Sequence, residues 1–200
     1  MKSRVALLVP ALLALLAAPA WAHPHHVHAP GLEHGLAAGF FHPLLGLDHL
    51  LAMFAVGLLA AQLGGRAIWI LPASFLGLML VGGGLGMTGV GLPGMEIGIA
   101  VSVVALGVAL AAGKKYPLVA AAVVVGLFGV MHGHAHGTEM PGMTAPVLYG
   151  IGLFIATAGL HLTGLGLGLM FLHLQRDPYI IRVAGAAITL AGLVILFKPF

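Results

Sequence analysis

The sequence predicts an all-α membrane protein, a polytopic helix bundle in which six transmembrane helices follow a cleaved signal peptide. Its 200 residues are 60% hydrophobic and only 6% charged, and the mean hydropathy is +1.12. Soluble globular chains carry about 25% charged residues, so this chain has too little charge to cover a water-exposed surface. The 31 glycines agree with a membrane protein, because small residues let transmembrane helices approach closely.

The N-terminus has the pattern of a secretory signal peptide, which we expect over residues 1–22. Lys2 and Arg4 precede an apolar run, and the small-residue pattern Ala20-Trp21-Ala22 ends it. The alternative is an uncleaved first membrane helix. Residues 23–41 then form a His-rich extracytoplasmic segment, which either concentrates metal ions or is a solvated linker. Its histidines are His23, His25, His26, His28 and His34.

Residues 42–200 are predicted to form the six-helix transmembrane domain. A helix needs about 20 apolar residues to cross the hydrocarbon, and only a helix satisfies its own backbone there. Pro43, Pro93, Pro117 and Pro146 stand where we expect spans to begin, a position at which proline costs no hydrogen bond. The expected spans are 43–63, 67–87, 93–112, 117–135, 146–171 and 179–197.

The basic residues predict the orientation of the bundle. A cleaved signal leaves the mature N-terminus outside, and six spans then return the C-terminus to the same side. In that arrangement the basic connections fall on the cytoplasmic side, as the positive-inside rule requires. Those residues are Arg66, Lys114, Lys115, Arg176 and Arg182.

Composition also excludes several function classes. Eight basic and five acidic residues give a net charge of +3, which offers a nucleic acid no basic surface. The absence of cysteine from the sequence removes thiolate metal sites and cysteine nucleophiles. No Walker motif is present, so ATP does not drive a reaction within this chain.

Histidines and acids collect at the expected extracytoplasmic ends of three spans. His42 and His49, seven residues apart, are predicted to share one helix face, with Asp48 beside them as a ligand or as an acceptor for an imidazole. Glu96 lies in the first turn of the third span. On the fourth span His134 is predicted to point away from a second face, which carries three residues at i, i+4 and i+7. Those residues are His132, His136 and Glu139.

These residue types predict a site for a divalent metal ion. Imidazole and carboxylate without thiolate suit Ni²⁺, Co²⁺, Zn²⁺ or Cu²⁺. Two other interpretations use the same residues: polar groups that hydrogen-bond among themselves, or a proton relay. No prosthetic group is expected. The six candidate ligands other than Glu96 would suit octahedral coordination or two adjacent ions.

Two motifs resemble those of the HupE/UreJ family. The stretch His42-Pro-Leu-Leu-Gly-Leu-Asp-His49-Leu-Leu-Ala-Met53 is similar to the family pattern HPxxGxDHxxxM, and Met131-His-Gly-His-Ala-His-Gly-Thr-Glu139 is similar to FHGxAHGxE. Met131 stands where that pattern has Phe, which we interpret as a change in packing. The resemblance carries the functional positions onto His42, Asp48, His49, His132, His136 and Glu139, and gives Glu96 partial support.

The resemblance implies a permease that takes up Ni²⁺, or Co²⁺, into a bacterium through its cytoplasmic (inner) membrane, in support of hydrogenase or urease maturation. Two alternatives stay open: an intramembrane zinc hydrolase, and an accessory protein that binds metal without transporting it. His161, near the middle of the fifth span, is expected either to pass on the ion or a proton, or to bond Thr157 or a neighbouring backbone.

Overall fold

The protein is a bundle of α-helices in a computed structural model that describes residues 32–140, 145–175 and 179–197. The predicted signal peptide and residues 23–31 of the His-rich segment lie outside the described residues. No strand occurs within the described ranges. The helices are α1 (Leu32–Leu45), α2 (Leu47–Leu63), α3 (Ala67–Met87), α4 (Met95–Ala112), α5 (Leu118–Thr138), α6 (Pro146–Gln175) and α7 (Tyr179–Leu196).

The multi-pass membrane architecture is confirmed. Helices α3 to α7 are each long and apolar enough to cross a membrane, and α1 with α2 counts as a sixth span if the bent pair is one span. The predicted spans from 67 to 197 agree with the observed helices to within a few residues. Their continuous apolar sequences, bounded by glycine, proline and charged residues, explain that agreement.

The first span is not the single helix that the spacing of its histidines predicted. The chain bends by 81° between α1 and α2, at Gly46, whose backbone is extended (φ −85°, ψ 113°). Pro43 lies inside α1 and not at the start of a span; its missing N–H weakens the helix just before the bend. The prediction that His42 and His49 share one helix face is therefore wrong. Helix α1 also begins at Leu32, within the segment 23–41 expected to precede the bundle.

Helix α2 lies at the centre of the bundle. Most of its 17 residues are buried, and it packs against α1, α3, α4, α6 and α7. The remaining close packing is pairwise, α3 with α5, α4 with α7, and α1 with α6. A helix buried on all sides explains why this segment is apolar around its whole circumference.

Glycines permit the closest of these contacts. Gly129, Gly133 and Gly137 recur every four residues along one face of α5, and a Cβ on any of them would overlap the backbone of α3. Gly57 and Gly164 similarly bring α2 and α6 together. Small residues at this spacing let helix backbones touch without the bulk of side chains. The close approach predicted around Gly133 and Gly137 is confirmed, and it fixes the position of the histidines between them.

The bundle has a basic end and a histidine end. At the basic end Lys115 donates from Nζ to the carbonyl of Gln62 (2.8 Å), and Arg182 donates from Nε to the carbonyl of Ala111 (3.1 Å). Both cations therefore bind the last carbonyls of a helix, where the helix dipole favours positive charge. His42, Asp48 and Glu139 lie at helix ends on the opposite side of the bundle.

Replacing Gly133 by alanine tests the glycine packing. The added methyl meets the carbonyl of Met79, so the two helices must separate, and we expect a loss of about 1–3 kcal/mol, as in overpacked interiors. The midpoint of thermal unfolding in detergent measures it. Gly77→Ala is the matched control, because its Cβ meets nothing within 4 Å and alanine favours helix over glycine. A midpoint for Gly133→Ala as high as for Gly77→Ala would contradict this account.

Candidate metal centre

Four imidazole rings from three helices meet at the histidine end and form what we call the imidazole cluster: His42, His49, His132 and His136. The ring centroids of His49 and His136 are 4.4 Å apart, those of His42 and His136 4.8 Å, and those of His49 and His132 5.1 Å. His42 and His49 are 6.2 Å apart. The bend at Gly46 brings the first two rings together from different helices.

The pair His49–Asp48 orients one imidazole of the cluster. The Nδ1–H of His49 donates to Oδ1 of Asp48 (2.7 Å), and the same oxygen accepts the backbone N–H of His49 (2.8 Å). Because Nδ1 carries the proton that forms this hydrogen bond, the lone pair of the ring lies on Nε2. That atom is buried and has no hydrogen-bond partner among the described residues. A carboxylate that fixes an imidazole in this way is a common support for a metal ligand.

His132 is held in the same tautomer by its own helix. Its Nδ1 lies 2.9 Å from the carbonyl oxygen of Phe128. A carbonyl only accepts, so Nδ1 carries the proton and Nε2 has the lone pair. That Nε2 is buried without a partner. His49 and His132 thus both present an Nε2 lone pair inside the bundle.

His136 lies between the other rings of the cluster. It is fully buried, and neither ring nitrogen has a hydrogen-bond partner. Buried polar atoms in proteins are nearly always satisfied, and in hydrocarbon the cost of leaving them unpaired is higher. The cluster therefore has several buried nitrogen atoms that no group of the described residues satisfies.

His42 and Glu139 form the outer part of the site. Nε2 of His42 lies 3.0 Å from Oε2 of Glu139, and the two side chains are 24% and 34% exposed. The Asp48 side chain is 31% exposed, whereas His132 and His136 are fully buried. The carboxylates thus lie toward the surface and the bare imidazoles beneath them.

The ring spacing fits a shared metal ion. Two imidazoles bound to one ion at about 2.0–2.1 Å have centroids roughly 4.5–5.2 Å apart at octahedral or tetrahedral angles. The three shortest separations in the cluster lie close to this range. No three His, Asp or Glu side chains within the described ranges are arranged as a finished metal site. The His49–His136 pair is tilted and the other ring pairs pack edge to face, so the rings must rotate to coordinate one ion together.

Two histidine-end residues lie apart from the cluster. Glu96, a predicted ligand, is exposed in the first turn of α4, because the buried face of that helix begins only at Ile99. Gly98 lies against Met131, so the carboxylate stands at the same end of the bundle. His134 points away from the cluster, as predicted, and lies with Nε2 2.6 Å from the carbonyl of Val90.

Sequence reasoning missed two residues of the site. Tyr149 is buried with an unpartnered hydroxyl, and its ring centroid is 6.0 Å from that of His42. The Phe75 ring contacts His132 at 5.3 Å. Neither belongs to a polar motif, and an aromatic residue in an apolar helix resembles any core residue. Only the packing of α3 and α6 against the cluster identifies them.

The fold and site define a multi-pass membrane protein that keeps a group of imidazoles and carboxylates within one end of its bundle. A family model described as HupE / UreJ protein matches residues 11–195. The chain is 44% identical over 185 residues to Protein HupE of Rhizobium leguminosarum bv. viciae, covering 92% of this chain and 94% of that protein. The chain therefore belongs to the HupE/UreJ family. No solved structure matches it.

Removing the carboxylate of Asp48 tests its orienting role. In Asp48→Leu the His49 ring loses its acceptor, and we expect the affinity for Ni²⁺ to fall about 10–100-fold, as when other supporting partners of metal ligands are removed. Equilibrium dialysis of the purified protein measures it. Asp48→Asn retains an acceptor oxygen and is expected to lose less. Wild-type affinity in the leucine variant would contradict the assignment.

Proposed function

We propose that this chain takes up a divalent transition-metal ion across the membrane, with Ni²⁺ as the main cargo and Co²⁺ as the second. The observation that carries the proposal is the imidazole cluster, whose Nε2 atoms on His49 and His132 and both nitrogens of His136 are buried without partners. A neutral imidazole has one nitrogen lone pair, so each of these three rings can give one nitrogen to a cation that prefers nitrogen. Membership of a family linked to nickel and cobalt transport supports the same conclusion.

The ion arrives at the histidine end, where the acids stand. Glu96 is exposed there, and the carboxylates of Asp48 and Glu139 are partly exposed. A group of acids raises the local concentration of cations at the mouth of a site. In our proposal Glu96 captures the ion without coordinating it in the cluster, and the His-rich segment (residues 23–41) increases the supply.

The ion then exchanges water for protein ligands. Asp48 and Glu139 offset its charge, which lowers the cost of leaving bulk water. His42 releases its contact with Glu139, and His49, His132 and His136 turn their free nitrogens toward the ion. The site must hold the ion with moderate affinity, because an ion bound too tightly would not leave.

The orientation of uptake follows from the two ends of the bundle. The basic end, with Arg66, Lys115 and Arg182, faces the cytoplasm under the positive-inside rule. The histidine end and both termini then face outward from the bacterial inner membrane. Uptake in this direction delivers the ion to the cytoplasm. The metal is needed there, since the family is linked to hydrogenase and urease maturation. The flux is driven by an ion gradient, either that of the metal ion itself or that of a coupled ion.

A zinc hydrolase and a non-transporting metal-binding protein are the competing functions. A hydrolase needs a cleft that leads substrate to the metal. A groove of about 540 Å³ does open between α3 and α5, but it is lined by residues such as Arg66, Ser74 and Leu118 near the basic end. Purified protein in liposomes separates the three functions. Uptake without ester or amide cleavage supports the permease, whereas turnover or binding without uptake would contradict it.

Loss of single imidazoles from the cluster tests the site directly. We expect His49→Ala and His136→Ala each to abolish uptake of radiolabelled Ni²⁺ into proteoliposomes, because each removes a buried donor. His173→Ala is the matched control, since His173 is exposed in the last turn of α6 and should transport normally. Normal uptake by both cluster variants, in folded protein, would show that the proposed site is wrong.

Competition between metals tests the chemistry of the ligands. We expect about a tenfold excess of Co²⁺ to reduce Ni²⁺ uptake by more than half, because both ions bind imidazole, whereas the same excess of Mg²⁺ has little effect because Mg²⁺ prefers oxygen ligands. Initial rates in proteoliposomes measure the effect. Equal inhibition by Mg²⁺ would indicate that carboxylates alone select the ion.

A further inference from the structure

His161 is a buried imidazole that the imidazole cluster does not include. It lies near the middle of α6 and is 1% exposed. Within the part of the chain that the structure describes, neither ring nitrogen has a hydrogen-bond partner. The bond to Thr157, one of the alternatives considered for His161, is not formed, and the Thr157 hydroxyl instead donates to the sulfur of Met79 (3.7 Å). A polar side chain at this depth is costly and usually marks a path for ions or protons.

The surroundings of His161 supply further metal donors. Thr157 and His161 lie one turn apart on α6, and Phe75 and Met79 lie one turn apart on α3. The Thr157–Met79 contact and the rings of Phe75 and His161, with centroids 5.1 Å apart, hold these two faces together. An imidazole, a thioether and a hydroxyl are thus brought close to one another in the interior. All three are neutral donors, in contrast to the carboxylates of the outer site.

A single phenyl ring connects this region to the imidazole cluster. The centroid of Phe75 lies 5.3 Å from that of His132 and 5.1 Å from that of His161. Phe75 is completely buried. The next imidazole inward from the cluster is therefore reached by displacing one apolar side chain.

We propose that His161, with Met79 and Thr157 beside it, is a second binding site for the divalent transition-metal ion, occupied after the imidazole cluster and before release. This inference rests on the proposed function. Because the inner donors are neutral, the ion binds more weakly there than beside Asp48 and Glu139. Weaker binding at a later site is what forward movement requires, since each site must release the ion to the next.

Two residues of similar size at position 161 test whether a metal donor is required. His161→Leu has no donor atom. Because the barrier to ion movement rises without it, we expect the rate of Ni²⁺ uptake in proteoliposomes to fall about tenfold or more. His161→Met keeps a donor atom that binds metal and cannot carry a proton, and it should retain clearly more uptake than leucine. In both variants Ni²⁺ binding to the imidazole cluster, measured by equilibrium dialysis, should stay within about twofold of wild type.

The controls separate this inference from the proposed function. Leu162→Ala changes the next, exposed residue of α6 and should transport normally. Absence of uptake by the wild-type protein would remove the proposed function and this inference together. Wild-type uptake with equal rates in His161→Leu and His161→Met would overturn the inference alone, and so would loss of cluster binding in a folded leucine variant. If His161→Leu does not fold, Met79→Leu replaces it, and normal uptake by that variant would contradict the inner site.

Discussion

The unpaired nitrogens of buried imidazoles are the constraint on which the rest of the structure depends. A membrane interior gives such atoms no water to bond, so the bundle must hold them at a cost. The glycines of α5 and α3 allow two backbones to touch around His132 and His136, and the bend at Gly46 adds His42 and His49 from the other side. The bundle therefore places several unpaired polar atoms, each of which costs free energy, around one small volume.

Charge is graded along the same direction. The carboxylates of Asp48 and Glu139 lie toward the surface, the bare imidazoles of His132 and His136 lie beneath them, and His161 lies deeper among neutral side chains. In our proposal a divalent ion that enters this series is first neutralised by the carboxylates and then held by weaker, neutral ligands. In the same proposal no site along the path binds the cation irreversibly.

The sequence predicted most of the fold because apolar length and the proline and glycine boundaries are local properties. It also predicted that His42, His49, His132 and His136 belong together, because motifs at fixed spacing identify donors. It failed at Gly46, where a glycine within an apolar run does not by itself reveal an 81° bend. It also missed Tyr149 and Phe75, and it did not indicate that Glu96 would be exposed. Those relations depend on how helices distant in sequence pack, which no local pattern records.

Nickel-edge X-ray absorption on the protein loaded with one equivalent of Ni²⁺ tests the central claim most directly. The account predicts the multiple-scattering signature of several imidazoles together with oxygen ligands, and fewer imidazoles when His136 is replaced by alanine. A coordination shell made only of oxygen, unchanged by that replacement, would contradict the claim that the imidazole cluster binds the ion.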